Sequence, residues 1–440
     1  MTIKILTNMR LFGTSGIRRV ADSNLIQLAL KVGLAVGKLY SNVIVSSDTR
    51  TSGEAMKHAF ISGLLTAGSN SFDAGIIPTP TLALAAREFD AAAMITASHN
   101  PPKYNGIKLL NPDGSAFNYD QQQQIEEMVA TDSLSAVSWD KMGSGNIYNR
   151  AVAEHIQRIE RDFPDGLKLK VVLDCDCGAA SVITPYLLKK LGCEVVTLNC
   201  YPSGFFPHPI EPTEANLNNL MQATSEHGAD LGIAHDGDAD RMMAVDDKGR
   251  FIPGDKLLVL FAEELGVKEV ITTIDASMAI DETGLNVIRT SVGDNYISEE
   301  LKKGGKFGGE PSGSWVFSNI SLCPDGIYAA VRLAAIAVRQ KLSYLVDNIP
   351  QYPLLRGNIG SEGIIMPDLE QRLMNMKALS VNNKDGIKLN FEDGWLLIRA
   401  SGTEPKIRIT VEAKNEVRLH QLYDEAIRII RESSGRNKGE

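Results

Sequence analysis

The sequence predicts an α/β protein of several domains, and three observations carry that expectation. Short β-branched runs alternate with amphipathic helical stretches along the chain, the signature of sheets layered with helices. The 440 residues, 43% hydrophobic and 22% charged, are ordinary globular composition and enough for two to four domains of roughly 100–200 residues each. Several apolar runs end in polar loops, and in open α/β sheets ligands bind outside the C-terminal ends of the strands.

Taken in order, Ser23 is placed to cap a helix from Asn24 to about Tyr40, with Leu25, Leu28, Val32, Ala35 and Leu39 on one face. A strand over 42–46 follows, then a helix near 52–67 and a strand leading to the Pro78-Thr79-Pro80 turn. The run Ala91 to Ile95 reads as a buried strand that delivers Thr96-Ala97-Ser98-His99-Asn100-Pro101-Pro102 at its end. The polar stretch 142–149 reads as a linker. A second α/β unit holds a strand over 169–174, a helix near 184–191, and strands over 229–235 and 242–246 around the loop 236–240. A third starts near Phe251 with strands over 270–274 and 286–290, and the Pro-containing stretch 348–354 closes it. The remainder carries strands and a final helix with Leu419, Leu422, Ala426 and Ile430 on one face. The resulting domains are 1–150, 151–250, 251–353 and 354–440, the first three of similar size and suggesting an internal repeat.

Composition excludes some functions. A net charge of −9 argues against a nucleic-acid partner, which needs clustered Lys and Arg. No stretch reaches the ~20 apolar residues of a membrane helix. No apolar segment with a small-residue cleavage site opens the chain, and five cysteines supply no disulfide framework, so a cytoplasmic protein is expected. Cys175 and Cys177 form a CxC without a second pair at zinc spacing, which favours packing at a strand end. An anionic substrate would need a local basic island against the global field.

Four loops carry chemistry. In Asp236-Gly237-Asp238-Ala239-Asp240-Arg241, three carboxylates at alternating positions can converge on one hard cation. An EF-hand reading fails, because its sixth and twelfth positions hold Arg241 and Asp247. The alternative is a solvated acidic turn, though repulsion there needs a counter-charge and the nearest basic residue in sequence is Arg241. Ser98, hemmed by small and polar neighbours, is either an exposed loop serine or a nucleophile; no G-x-S-x-G elbow supports acyl chemistry. Between Arg399 and Arg408, Ser401, Gly402 and Thr403 make a phosphate cradle, with a plain hairpin turn as the alternative. In the loop 308–314, Glu310 and Ser312 stand on a Gly/Pro framework suited to sugar hydroxyls. Neither an intact Walker A nor a G-x-G-x-x-G occurs.

These segments, with Phe12-Gly13-Thr14-Ser15-Gly16-Ile17-Arg18, Asp48-Thr49-Arg50-Thr51-Ser52-Gly53 and Tyr104-Asn105-Gly106-Ile107-Lys108, resemble the α-D-phosphohexomutase superfamily over nearly the whole chain and in the same order. The resemblance implies three related mixed-sheet α/β domains plus a C-terminal α+β domain around a central cleft. It implies that Ser98 carries a phosphoryl group and that Ser98 joins Asp236, Asp238 and Asp240 around one Mg²⁺ per subunit. Arg241 would lie against the reacting phosphate, with Arg18 and His99 near it and Lys108 close to the transfer. Glu310 and Ser312 would hold the sugar, and Arg399, Ser401, Gly402, Thr403 and Arg408 the phosphate that is not reacting. Where relatives often carry a proton-transferring His after the sugar loop, this chain has Ser314; Lys108, its pKa lowered by cationic neighbours, is the expected replacement. The usual Asp-x-Gly-Asn-Gly turn reads Asp174-Cys175-Asp176-Cys177-Gly178.

The implied reaction interconverts hexose 6- and 1-phosphates through phosphoserine, with a hexose 1,6-bisphosphate as intermediate and activator, and with the fourth domain closing to exclude water. Details such as Val292-Gly293-Asp294 and the Arg-x-Ser-Gly-Thr-Glu-Pro loop favour glucosamine phosphate over glucose and mannose phosphates. The expected partner is a small sugar phosphate, without nucleic acid or membrane, and a homodimer is one candidate assembly. Rival readings are an aspartyl-phosphate-type phosphatase using Asp236 or Asp238, and a non-catalytic sugar-phosphate binding protein.

Overall fold

The structure, a computed structural model, describes residues 11–13, 15–131, 134–164, 166–361, 364–400 and 406–433. They divide into two compact units. One runs to Val267 and resumes over Gly293–Asp347; the other comprises Lys268–Val292 and the chain from Asn348.

In the first unit, the N-terminal domain is a mixed sheet ordered Ile17–Val20, Tyr104–Leu110, Ala91–Ile95, Asn42–Ser47, Asn70–Ile76, Gly145–Ile147. Its central strands are apolar on both faces because helices Ser23–Leu39 and Gly53–Ala67 cover one side and Thr79–Ala85 the other. The stretch 142–149 is therefore not all linker: Gly145–Ile147 pairs parallel with Ser71–Asp73 as an edge strand. The first helix is capped by Asp22, not Ser23, since the Asp22 carboxylate accepts from the Asn24 and Leu25 amides. The next sheet is ordered Phe251–Ile252, Met242–Val245, Leu231–His235, Lys170–Asp174, Glu194–Leu198. A hairpin, Phe307–Glu310 with Ser314–Phe317, completes the elements that frame the site.

In the second unit, Glu269–Thr273 pairs parallel with Asn286–Thr290. The C-terminal sheet is antiparallel, ordered Leu354–Gly360, Lys406–Ala413, Gly394–Ala400, Ile387–Phe391, Ser380–Asn382. Helix Glu416–Ser433 packs Leu419, Leu422, Ala426 and Ile430 onto it, the face its periodicity predicts. The domains are thus mixed-sheet α/β followed by a C-terminal α+β domain. Among the described residues no helix is long and apolar enough to cross a membrane.

Candidate active site

The buried strand Ala91–Ile95 ends at Thr96, and the chain then turns sharply. Ser98 adopts φ 51°, a left-handed conformation unusual for a non-glycine residue that surrounding contacts must hold. Those contacts are explicit. The Ser98 amide donates to Thr96 Oγ1 at 2.8 Å, and Thr96 Oγ1 donates to Asp48 Oδ2 at 2.6 Å. Asp48 also holds Arg50. The buried Arg50 guanidinium donates to the carbonyls of Ser98 (2.7 Å), Asn100 (2.6 Å), Pro101 (2.9 Å) and Tyr104 (2.8 Å). Burial pushes the Asp48 carboxyl up to about 6, with Arg50 and Thr96 opposing.

The carboxylate loop comes from the second sheet, between Leu231–His235 and Met242–Val245. It presses on the serine loop so closely that a Cβ on Gly237 would lie 2.8 Å from the Ser98 carbonyl, which only glycine permits. Ser98 Oγ donates to Asp236 Oδ2 at 2.7 Å and lies 3.3 Å from His99 Nδ1. Asp236, Asp238 and Asp240 are buried, each with a ligand atom within 4.8 Å of the others'. Asp238 Oδ1 and Asp240 Oδ1 are buried without a hydrogen-bond partner. Hard, closely grouped oxygen donors with unsatisfied lone pairs fit a hard divalent cation.

The counter-charge comes from the first sheet. Lys108, on Tyr104–Leu110, donates from Nζ to Asp238 Oδ2 at 2.6 Å and to Asp240 Oδ2 at 2.5 Å. This corrects the expectation of a lowered Lys108 pKa. Burial does pull it down, but the charges of Asp238 and Asp240 overcome burial and raise it. Asp238 shows the converse: burial opposes its charge, yet Lys108 and the Thr79 hydroxyl hold its carboxyl below the usual range. Asp236 goes the other way, raised by burial and by Asp240 and Asp238. Its attraction to Arg241 and its bond from Ser98 do not offset these.

The remaining site residues of this unit surround that centre. The Arg241 amide donates to Asp236 Oδ1 at 3.2 Å and its Nη1 to Glu211 Oε1 at 3.1 Å. Arg18 Nη1 donates to Asn100 Oδ1 at 3.1 Å, and its Nε is buried without a partner. Burial and the cations Arg241, Arg18, Lys108 and Arg50 hold the His99 imidazole neutral by lowering its pKa. Glu310 Oε1 accepts the Gly293 amide at 2.7 Å, and Ser312 Oγ donates to Glu310 Oε2 at 3.3 Å. Ser314 is buried and bridges Arg241 through its backbone, so the hairpin and the carboxylate loop are joined.

In the second unit, Arg399 and Arg408 are directly opposite on adjacent antiparallel strands. Arg399 pairs with Asp385 Oδ2 at 2.7 Å, and its Nε is buried without a partner. Ser401, Gly402 and Thr403 lie outside the described residues. Sequence reasoning assigned no role to Arg50, Asp48 or Thr79. The Asp48-Thr49-Arg50 motif was visible, but what Arg50 holds is set by four backbone positions no pattern records.

With the geometry in view, the class is clear: the chain belongs to the phosphoglucomutase/phosphomannomutase family and so to the α-D-phosphohexomutases, which are isomerases. Residues 9–136, 147–249 and 253–352 match its alpha/beta/alpha domains I, II and III, and 364–429 its C-terminal domain. The chain is 46% identical to a "probable phosphoglucosamine mutase" of Methanocella arvoryzae, covering 96% of this chain and 98% of that protein. It is 41% identical to a phosphoglucosamine mutase of Methanocaldococcus jannaschii, covering 96% and 99%. A solved phosphoglucomutase/phosphomannomutase family protein of Burkholderia thailandensis superposes with TM-score 0.87 at 27% identity, covering 99% of each chain.

Proposed function

We propose that this chain interconverts glucosamine 6-phosphate and glucosamine 1-phosphate, with Ser98 as the phosphoryl carrier. The observation that carries the reading is the juxtaposition of the Ser98 hydroxyl with Asp236 at 2.7 Å inside a buried group of carboxylates and cations. The curated relatives named phosphoglucosamine mutase support the choice of sugar.

Asp236, Asp238 and Asp240, with Ser98, would hold one Mg²⁺, which when bound supplies charge neutralisation for phosphoryl transfer. The residues do the rest. Arg18, Lys108 and Arg241 stabilise charge on the transferring group, since positioning and electrostatics dominate this chemistry. A phosphorylated Ser98 donates to one hydroxyl of the sugar phosphate, breaking the Oγ–P bond and giving a bisphosphate. The sugar reorients, and its other phosphate returns to Ser98 Oγ. The neutral His99, 3.3 Å from that oxygen, is placed to accept or return its proton, and Lys108 stands charged beside it. Glu310 and Ser312 hold ring hydroxyls. Arg399 and Arg408, with Ser401, Gly402 and Thr403, form the cradle for the phosphate not reacting.

The test is kcat/KM for glucosamine, glucose and mannose 6-phosphates under identical Mg²⁺ and bisphosphate. Glucosamine 6-phosphate is expected to lead; a tenfold preference for either neutral sugar would overturn the sugar and leave the class intact.

A further inference from the structure

The Cys175–Gly178 turn takes no part in the reaction above, and its side chains are placed for chemistry of their own. The strand Lys170–Asp174 runs parallel to Glu194–Leu198, with Asp174 opposite Leu198. Beyond that register, the Cys175 amide donates to the Leu198 carbonyl at 3.3 Å and the Cys177 amide to the Asn199 carbonyl at 2.7 Å. Asn199 takes the left-handed φ of 51°, and its side-chain Nδ2 donates to the Asp174 carboxylate oxygens at 3.1 and 3.2 Å. The chain therefore doubles back, and Cys200 Sγ stands 3.3 Å from Cys175 Sγ. A disulfide is about 2.05 Å long, so closing this pair requires roughly 1.3 Å of approach between segments already hydrogen-bonded together.

The two thiols differ in access: Cys175 is buried and Cys200 partly exposed, as is Cys177. Burial, with Cys200 and Asp174 beside it, raises the Cys175 thiol and keeps it protonated at neutral pH. A shared metal is not favoured here. Among the described residues, ligand atoms close enough to hold one ion are found at Asp236, Asp238 and Asp240.

We infer that Cys175 and Cys200 are a redox pair which a peroxide closes to a disulfide, and that closure disturbs the carboxylate loop and slows turnover. The accessible Cys200 thiolate attacks hydrogen peroxide: an S–O bond forms, the O–O bond breaks, and hydroxide leaves and is protonated to water. Cys175 sulfur then attacks the Cys200 sulfenic sulfur. The S–S bond forms, the S–O bond breaks, and the departing hydroxide takes the Cys175 proton as a second water. Each sulfur loses one electron, and the peroxide is reduced by two. Pairs of this kind inside cells are usually transient and sensing.

The link to catalysis is short. After Cys175 the turn reaches Gly178 and Ala179, and the Ala179 amide donates to the Gly237 carbonyl at 2.9 Å. A Cβ on Gly178 would lie 2.7 Å from that same carbonyl. Gly237 separates Asp236 from Asp238, so movement at Cys175 reaches two of the proposed cation ligands through packed backbone.

The full-length protein is titrated with hydrogen peroxide, quenched with an alkylating agent and read by intact mass and peptide mapping. Turnover is followed on whichever hexose phosphate it accepts. The expected result is loss of two hydrogens, a peptide pair linked through Cys175 and Cys200, and turnover lowered on the order of tenfold or more, restored by dithiothreitol. Cys200→Ser should keep basal turnover and resist peroxide, and Cys177→Ser should behave as wild type. No 175–200 link, a link that leaves turnover unchanged, or a Cys200→Ser variant inactivated like wild type would each overturn the inference.

Discussion

Ser98 combines a strained backbone with a hydroxyl whose hydrogen bond ends on a carboxylate carrying a raised pKa. Removing the hydroxyl deletes the proposed covalent route but leaves the Arg50 contacts, which go to backbone carbonyls. Ser98→Ala should therefore fold normally and lose turnover by several orders of magnitude. Retention of more than a few per cent of the wild-type rate would sink the assignment. Lys108 sits differently. Held charged between Asp238 and Asp240, it neutralises the carboxylates. Lys108→Ala should cut turnover ~10²–10⁴-fold, the usual weight of such help. Ser314→Ala should matter far less, because Ser314 contributes its backbone bridge to Arg241. Steady-state rates of the two variants side by side decide this, and the reverse ranking refutes it.

Loops set the next scale. The Thr96–Tyr104 segment keeps its shape because one guanidinium ties several of its carbonyls to Asp48. A Lys is a point charge without the planar fork and cannot replace it. Arg50→Lys should thus stay folded yet lose ~10²-fold in kcat, the cost of misplacing a reacting group by about an ångström. Wild-type kcat in this variant would show that the clamp is dispensable. The carboxylate loop makes a second claim: EDTA should abolish turnover and Mg²⁺ restore it. Full activity in a metal-free preparation would remove the loop from the chemistry. In the second unit, Lys388 is buried, donates to the Ile274 carbonyl at 2.6 Å and lies 4.1 Å from the Trp395 ring centroid. Burial, with Arg289 nearby, lowers its pKa to about 7. The unfolded chain then holds one more proton than the folded one between pH 7 and the ordinary lysine value. Stability should rise with pH across that window, by up to ~1.4 kcal/mol per unit from this group. Urea midpoints of wild type and Lys388→Met, compared at pH 7 and 9.5, should show the wild type gaining relative to the variant; a constant difference would contradict it.

Across the whole chain, each functional loop leaves the end of a strand whose position depends on residues far away in sequence. Asp238 is 130 positions from Lys108, and Asp236 is 138 from Ser98. Such a site assembles only when its domains are both folded and packed, so substitutions in the first-sheet core should impair cation binding as well as stability. The choice among sugars turns on which polar groups the site leaves paired or unpaired. A substituent that leaves a buried polar group unpaired costs ~1–3 kcal/mol, and one that contacts none costs little.

Much was legible from residue order alone. Periodicity located the strand Ala91–Ile95 and the core face of the final helix, because burial on a sheet or helix repeats at short range. Alternating aspartates marked the loop whose three carboxylates cluster and stay buried. Local chemistry misjudged what distance decides. Arg241 was the nearest basic residue along the chain, whereas Lys108 makes the direct ion pairs. The same contact raised a pKa that neighbouring cations were expected to lower. Likewise the CxC, read as strand-end packing, comes to lie against Cys200 because two parallel strands share a register. Sequence by itself determined which groups are present and which local conformations they favour, since propensity and periodicity act over a few residues. The tertiary structure decided which charges meet, which carboxylates stay charged and which thiols touch, because desolvation and Coulomb forces depend on separations in space.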